Sequence, residues 1–184
     1  MFRLIGILAL SWLLGGCAAQ PSRAPAFGEL PQLRLAPASL GRELALQQRL
    51  QIVVGDKRET MDALLEVDAQ ELRLAVQALG QSALMLRWDG KTLQQQRADW
   101  LPPTLSGDRV LFDLQLVFWP TQAIRAALPD GWMLQESAGQ RRLLHAGVEI
   151  ARVDYPAADH AELRQIHDGY LLDITSMPAG GTAP

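Results

Sequence analysis

Apolar side chains recur at every second position through two long blocks of this chain, and that period limits its fold more than any other feature. Leu44, Leu46, Leu50, Ile52 and Val54 fall at even positions with Gln48, Arg49 and Gln51 among them, and Gly55-Asp56 follows as a turn. Met61, Ala63, Leu65 and Val67 repeat the pattern, then Leu72, Leu74 and Val76, then Leu84, Leu86 and Trp88 before Asp89-Gly90. Side chains on a strand alternate between two faces, so a period of two marks half-buried strands, and the short glycine-containing turns make them antiparallel hairpins. "WMLQES", "RRLLHAG", "VEIARVDY", "AELRQIH" and "YLLDITS" continue the alternation, with Gly139, Gly147 and Gly169 at the turns. The expected protein is mainly β.

Between the two blocks lies "SGDRVLFDLQLVFWPTQAIRAALPDGW". Ser106 is an expected helix cap. Val110 to Trp119 carries only Asp113 and Gln115 as polar members, Pro120 stops the run, and Thr121 is an expected cap for a second helix ending before Pro129. A helix apolar on nearly all sides must be buried on nearly all sides. A run of this length also fits a fully buried strand; helix is the expectation. A long antiparallel sheet with an apolar insert midway suggests a curled sheet packed around the insert, not a flat layer.

Composition narrows the function. With 17 Lys and Arg against 20 Asp and Glu the formal charge is −3, and no basic cluster is present to neutralise phosphates, which argues against nucleic acid as a partner. The three histidines, His145, His160 and His167, show no metal-ligand spacing, so neither a metal centre nor a cofactor is expected. Gly80-Gln81-Ser82 has half of a nucleophile elbow but sits between two strands. "HDG" at 167–169 reads as a polar turn, and Asp56, Glu59, Asp62, Glu66 and Asp68 read as a solvated face. No enzymatic chemistry is expected.

The single cysteine, Cys17, ends the run "LIGILALSWLLGGC" after Arg3. Leu4 to Leu14 is about half the ~20 residues that a membrane-crossing helix needs, and reads as a signal peptide over 1–16. Leu14-Gly15-Gly16-Cys17 resembles the lipobox of bacterial lipoproteins. That resemblance implies cleavage before Cys17, acylation of its sulfur and amine, and an anchor of three chains, which is effectively permanent. Ala18 follows where aspartate would signal inner-membrane retention, so the resemblance implies the outer membrane, periplasmic face. The Ala- and Pro-rich residues 17–37 are expected to form the lipidated tether, residues 38–177 a single domain, and 178–184 a disordered tail.

The strand order, the "PTQAIRAALP" helix and the hairpin "LRLAVQALGQSALML" resemble the LolA/LolB-like lipoprotein carriers and receptors. "LQLVFWP", with a Tyr after "VEIARVD", also looks like a family of uncharacterised proteobacterial outer-membrane lipoproteins, some encoded beside aryl-polyene lipid synthesis genes. The resemblance implies an incomplete β-barrel closed by helices around an apolar cavity that holds acyl chains of a lipid or lipoprotein, exchanged with a periplasmic carrier protein. Expected cavity walls are Leu65, Leu74, Val76, Leu86, Trp88, Phe118, Trp119, Ile124, Leu128 and Trp132; the alternative is that they pack as a solid core. LolB-like receptors also carry an apolar residue on the matching hairpin loop. Leu79 is accordingly expected either as a membrane-inserting loop residue or as a strand-end leucine folded into the core. Other passengers are a glycolipid or an aryl-polyene-type lipid. A structural or assembly lipoprotein that binds a protein partner is the remaining non-enzymatic reading.

Overall fold

The computed structural model describes residues 30–102 and 105–180. The expected signal peptide, Cys17, the first part of the tether and the last four residues of the tail lie outside the described residues. Ten strands form one antiparallel sheet, and their order explains its shape. β1 (Leu44–Val54), β2 (Lys57–Val67), β3 (Leu72–Ala78), β4 (Gln81–Trp88) and β5 (Leu93–Arg97) make one meander. β6 (Trp132–Ser137), β7 (Gln140–His145), β8 (Val148–Ala157), β9 (His160–Gln165) and β10 (Tyr170–Pro178) make another, and β1 pairs with β10 to join them. β5 and β6 are therefore the two outer edges, although they follow one another along the chain. The connection between them holds both helices, α1 (Gly107–Phe118) and α2 (Thr121–Ala127).

The sheet is curled and not closed into a barrel, as the sequence leads one to expect, with bulges at Val76/Gln77, Leu143/Leu144 and Asp154/Ala157 to bend it. The helices attend to its unpaired edges. Beside β5, the backbone N–H of Gly107 donates to Gln95 Oε1 at 2.6 Å, an approach so close that a Cβ on Gly107 would lie 2.7 Å from that oxygen. Beside β6, Arg125 Nε on α2 donates to the carbonyl of Leu134 at 2.8 Å. A strand edge left open presents unpaired backbone groups; the first contact holds α1 against β5 through a side chain, and the second is made to a backbone carbonyl of β6.

The helix expectation holds, and α1 is buried on most sides. The Ser106 hydroxyl accepts from the Arg109 N–H at 3.3 Å, as an N-cap should. Thr121 differs: Pro120 occupies the N-cap position without a side-chain bond, and Thr121 is the first helical residue. The carbonyls at the end of α1 are met from the sheet, because Arg141 Nη1 donates to those of Leu116, Val117 and Trp119, and the Tyr155 hydroxyl to that of Val117 at 2.7 Å. A cation placed there also suits the negative end of the helix dipole.

Three features were not legible from alternation. β5 reads "LQQQR", with no second apolar residue to give a period. The packed domain also starts before residue 38: Leu33 is buried, and Leu35 exchanges bonds with Gln115 on α1 (N–H to Oε1 3.1 Å, Nε2–H to O 2.9 Å). The expected tether thus gives way, at its C-terminal end, to a strap held by partners distant in sequence. At the other end Pro178 belongs to β10 and the Ala179 N–H donates to the Ala45 carbonyl at 2.7 Å, so the expected tail begins within the sheet. Among the described residues no helix is long and apolar enough to cross a membrane.

Candidate functional site

An apolar cavity of about 90 Å³ lies between the middle of α1 and the strands β1 to β4 and β10. Leu50, Leu74, Leu84 and Ile174 form its deep walls and are buried. Ile52 and Leu172, a register pair one step nearer the β1–β2 turn, are partly exposed, as is Tyr170 opposite Val54. The cavity therefore opens toward the sheet end that carries the β1–β2, β3–β4 and β9–β10 turns. From Tyr170 to Ser176, the partner of Gln48 at its far end, β10 runs roughly 20 Å. Val110 and Leu114 supply the helix side.

Two of the ten expected wall residues, Leu74 and Val76, line this space. The other eight do not, which corrects the expected wall. Leu65, Leu86, Trp88, Trp119 and Ile124 are buried in continuous core, and Phe118, Leu128 and Trp132 pack at its margin. Trp88 Nε1 donates to the Leu35 carbonyl at 2.8 Å and Trp119 Nε1 to Ser39 Oγ at 2.9 Å, while Trp132 stacks on His145. The physical reason is the seating of the insert. The last turn of α1, α2 and the strap fill the space before those side chains, leaving room beside Val110 and Leu114 in the middle of α1.

At the same end of the sheet stands Leu79, 91% exposed, which excludes its folding back into the core. Leu79 and Gly80 form a two-residue hairpin turn with φ of 53° and 73°. Such a turn needs left-handed backbone at both positions and favours Asn-Gly or Asp-Gly; a leucine there costs roughly 1 kcal/mol. Val54, Trp100 and Ile166 are further large apolar side chains exposed at this end, as is Met133 on the β6 edge.

Sequence reasoning missed the polar cluster at the cavity wall. Asp113 accepts from Gln165 Nε2 at 2.7 Å and from the Tyr170 hydroxyl, and its Oδ2 lies 3.5 Å from Arg109 Nε. Arg109 in turn donates from Nε to the Tyr170 hydroxyl at 2.7 Å and pairs with Asp168 at 2.8 Å. Burial raises the Asp113 carboxyl above its usual range despite Arg109, and burial also holds the Tyr170 phenol un-ionised. The arginine stays charged: burial opposes it, and the surrounding acidic groups and Tyr170 outweigh that. The available signal was an aspartate in an otherwise apolar helix. "HDG" is the expected turn, yet its Asp168 also closes this cluster.

On the outer face the fold brings His160, Glu162 and Asp173 together, with donor atoms within 4.8 Å of one another. Sequence spacing hid this group because its members sit on two strands. His160 Nε2 lies 2.9 Å from Asp173 Oδ2, and the three could offer ligands to a divalent cation.

Fold and cavity together define a class: an open, curled antiparallel sheet with a helical insert and an apolar recess under it. The chain belongs to the family described as protein of unknown function (DUF3261), whose model matches residues 45–178. No curated protein matches its sequence.

Proposed function

We propose that this protein is an outer-membrane lipoprotein, anchored through Cys17 and facing the periplasm, that takes the acyl chain of a lipid or lipoprotein into its curled sheet and releases it to the membrane without covalent chemistry. The observation that carries the reading is the coincidence of two apolar features at one end of the sheet: the cavity opens there, and Val54, Leu79, Trp100 and Ile166 are exposed there. Such a rim would rest on lipid, so a chain could pass between cavity and bilayer without crossing water.

Size refines the mechanism. A cavity of about 90 Å³ is smaller than the ~150 Å³ engineered cavity that accepts benzene, so a long chain enters only as Val110 and Leu114 on α1 draw back from β3 and β10. Each methylene then contributes about 0.8 kcal/mol until the space is filled. The folded protein should take up an environment-sensitive fatty-acyl fluorophore, and competing alcohols should bind more tightly as their chains lengthen. A folded sample that takes up no probe would defeat the reading. The anchor has its own test: Cys17→Ser should accumulate as unprocessed precursor, and normal processing of that variant would refute lipidation.

Leu64, its register partner Ala75 and Met85 beside it form a row on the convex face, with Leu64 and Met85 exposed. That row favours a second reading, an assembly lipoprotein that binds a protein partner. Met85→Lys should abolish such binding while leaving acyl uptake intact.

A further inference from the structure

Three polar side chains, Gln48, Asp113 and Tyr170, interrupt the otherwise apolar wall of the cavity. Gln48 lies at the far end, where its Nε2 donates to Ser176 Oγ at 3.0 Å. Asp113 and Tyr170 lie at the end nearer the opening, where the polar head of an inserted amphiphile would come to rest.

The chemistry of that end is lopsided. One guanidinium, Arg109, faces two carboxylates, Asp113 and Asp168, and the second of these also meets His167 Nδ1 at 3.0 Å through Oδ1, the oxygen not paired with Arg109. Acceptors outnumber donors: an ionised carboxylate offers about four lone-pair sites, and Asp113 receives bonds from Gln165 and Tyr170. Beside it, Gln165 Oε1 is fully buried and has no hydrogen-bond partner among the described residues. An anionic head brought here would meet Asp113 at short range in a site poor in water, whereas an incoming N–H or O–H would satisfy an acceptor already present.

We propose that the cavity selects amphiphiles whose head donates hydrogen bonds, a hydroxyl or an ammonium, that Asp113 accepts from it, and that free carboxylates are rejected. This rests on the acyl-binding reading above and adds the chemistry of the head. Asp113 is then a specificity-determining residue, and Tyr170 and Arg109 position its carboxylate.

The test is calorimetric titration of the full chain with four ligands of matched chain length: octylammonium, octanol, octyl methyl ether and octanoate. Octylammonium should bind at least about tenfold more tightly than octanoate, and octanol about fivefold more tightly than its methyl ether, which has lost only the donor. In Asp113→Asn the first ratio should fall to within about threefold. Asp62→Asn, at an exposed carboxylate on the outer face and away from the cavity, should keep the preference for octylammonium. Octanoate binding as well as octylammonium to the unaltered protein would overturn the inference, and so would a ratio that survives Asp113→Asn. Should that variant not fold, the comparison on the unaltered chain decides alone. Binding of all four without discrimination defeats the head-group selection only; binding of none defeats the acyl-binding reading and this inference with it.

Discussion

The two meanders are built from the same alternation, yet their concave faces have different fates. In the β6–β9 half, Leu134, Leu143, Ala151, Val153 and Leu163 are almost wholly buried, and none touches the cavity. In the β1–β4 half, with β10, Leu50, Leu74, Leu84 and Ile174 face open space, while Leu65, Leu86 and Trp88 are packed. An apolar inner face is thus a necessary condition for a cavity and not a sufficient one. What decides is whether another element reaches that face, and the elements over it leave uncovered the part beside Val110 and Leu114 of α1.

Core truncation should break the symmetry most visibly. Leu163→Ala in the solid half should cost about 3–4 kcal/mol, because neighbours cannot collapse into the void. Leu172→Ala at the cavity wall should cost less than half of that, since one side of the leucine already lacks partners. Denaturant midpoints would check both, and equal losses would mean that the two halves are equally packed. An enlarging substitution sharpens the same contrast by its sign. Ala151→Ile, in solid core, should destabilise by about 1–3 kcal/mol through overpacking. Ala83→Ile, at the cavity, should stabilise by about 1 kcal/mol and reduce acyl uptake.

A smaller effect is expected from pH. Because the Asp113 carboxyl is raised in the folded state, the native protein holds its proton where the unfolded chain has lost it. Its contribution therefore favours folding at low pH and is lost as pH climbs from the ordinary 3.8 through the raised value. Asp113→Asn should flatten that part of the stability profile measured by thermal unfolding across acid to neutral pH, and a profile that keeps its slope in the variant would remove Asp113 as the source.

The smallest stability effect concerns the turn at the open end. Leu79→Asn should stabilise by roughly 1 kcal/mol by relieving a left-handed leucine. If the exposed leucine serves delivery, the same variant should release acyl probe to liposomes more slowly. A more stable protein with unaltered release would remove Leu79 from the proposed role and leave the strain without a function.

Which residues are paired in hairpins, and which face of each strand is apolar, was legible in the sequence because both depend on neighbours along the chain. Period two places Leu50, Ile52, Leu74 and Val76 on one face, and glycine or aspartate marks most turns. Ser106, Asp113 and Gln115 likewise announced a capped, buried helix with two polar exceptions. The rest depended on contacts between residues far apart in sequence. Nothing local says that Gln115 will hold the strap through Leu35, or that Arg141 will gather the carbonyls of α1. Nor does it say that Asp113 will share a buried cluster with Gln165, Asp168 and Tyr170. Alternation told inside from outside for Trp88 as well as for Leu74. Only the tertiary structure decided that the first is packed and the second faces a cavity, because unfilled volume belongs to the arrangement of α1 and α2 against the sheet and to no residue alone.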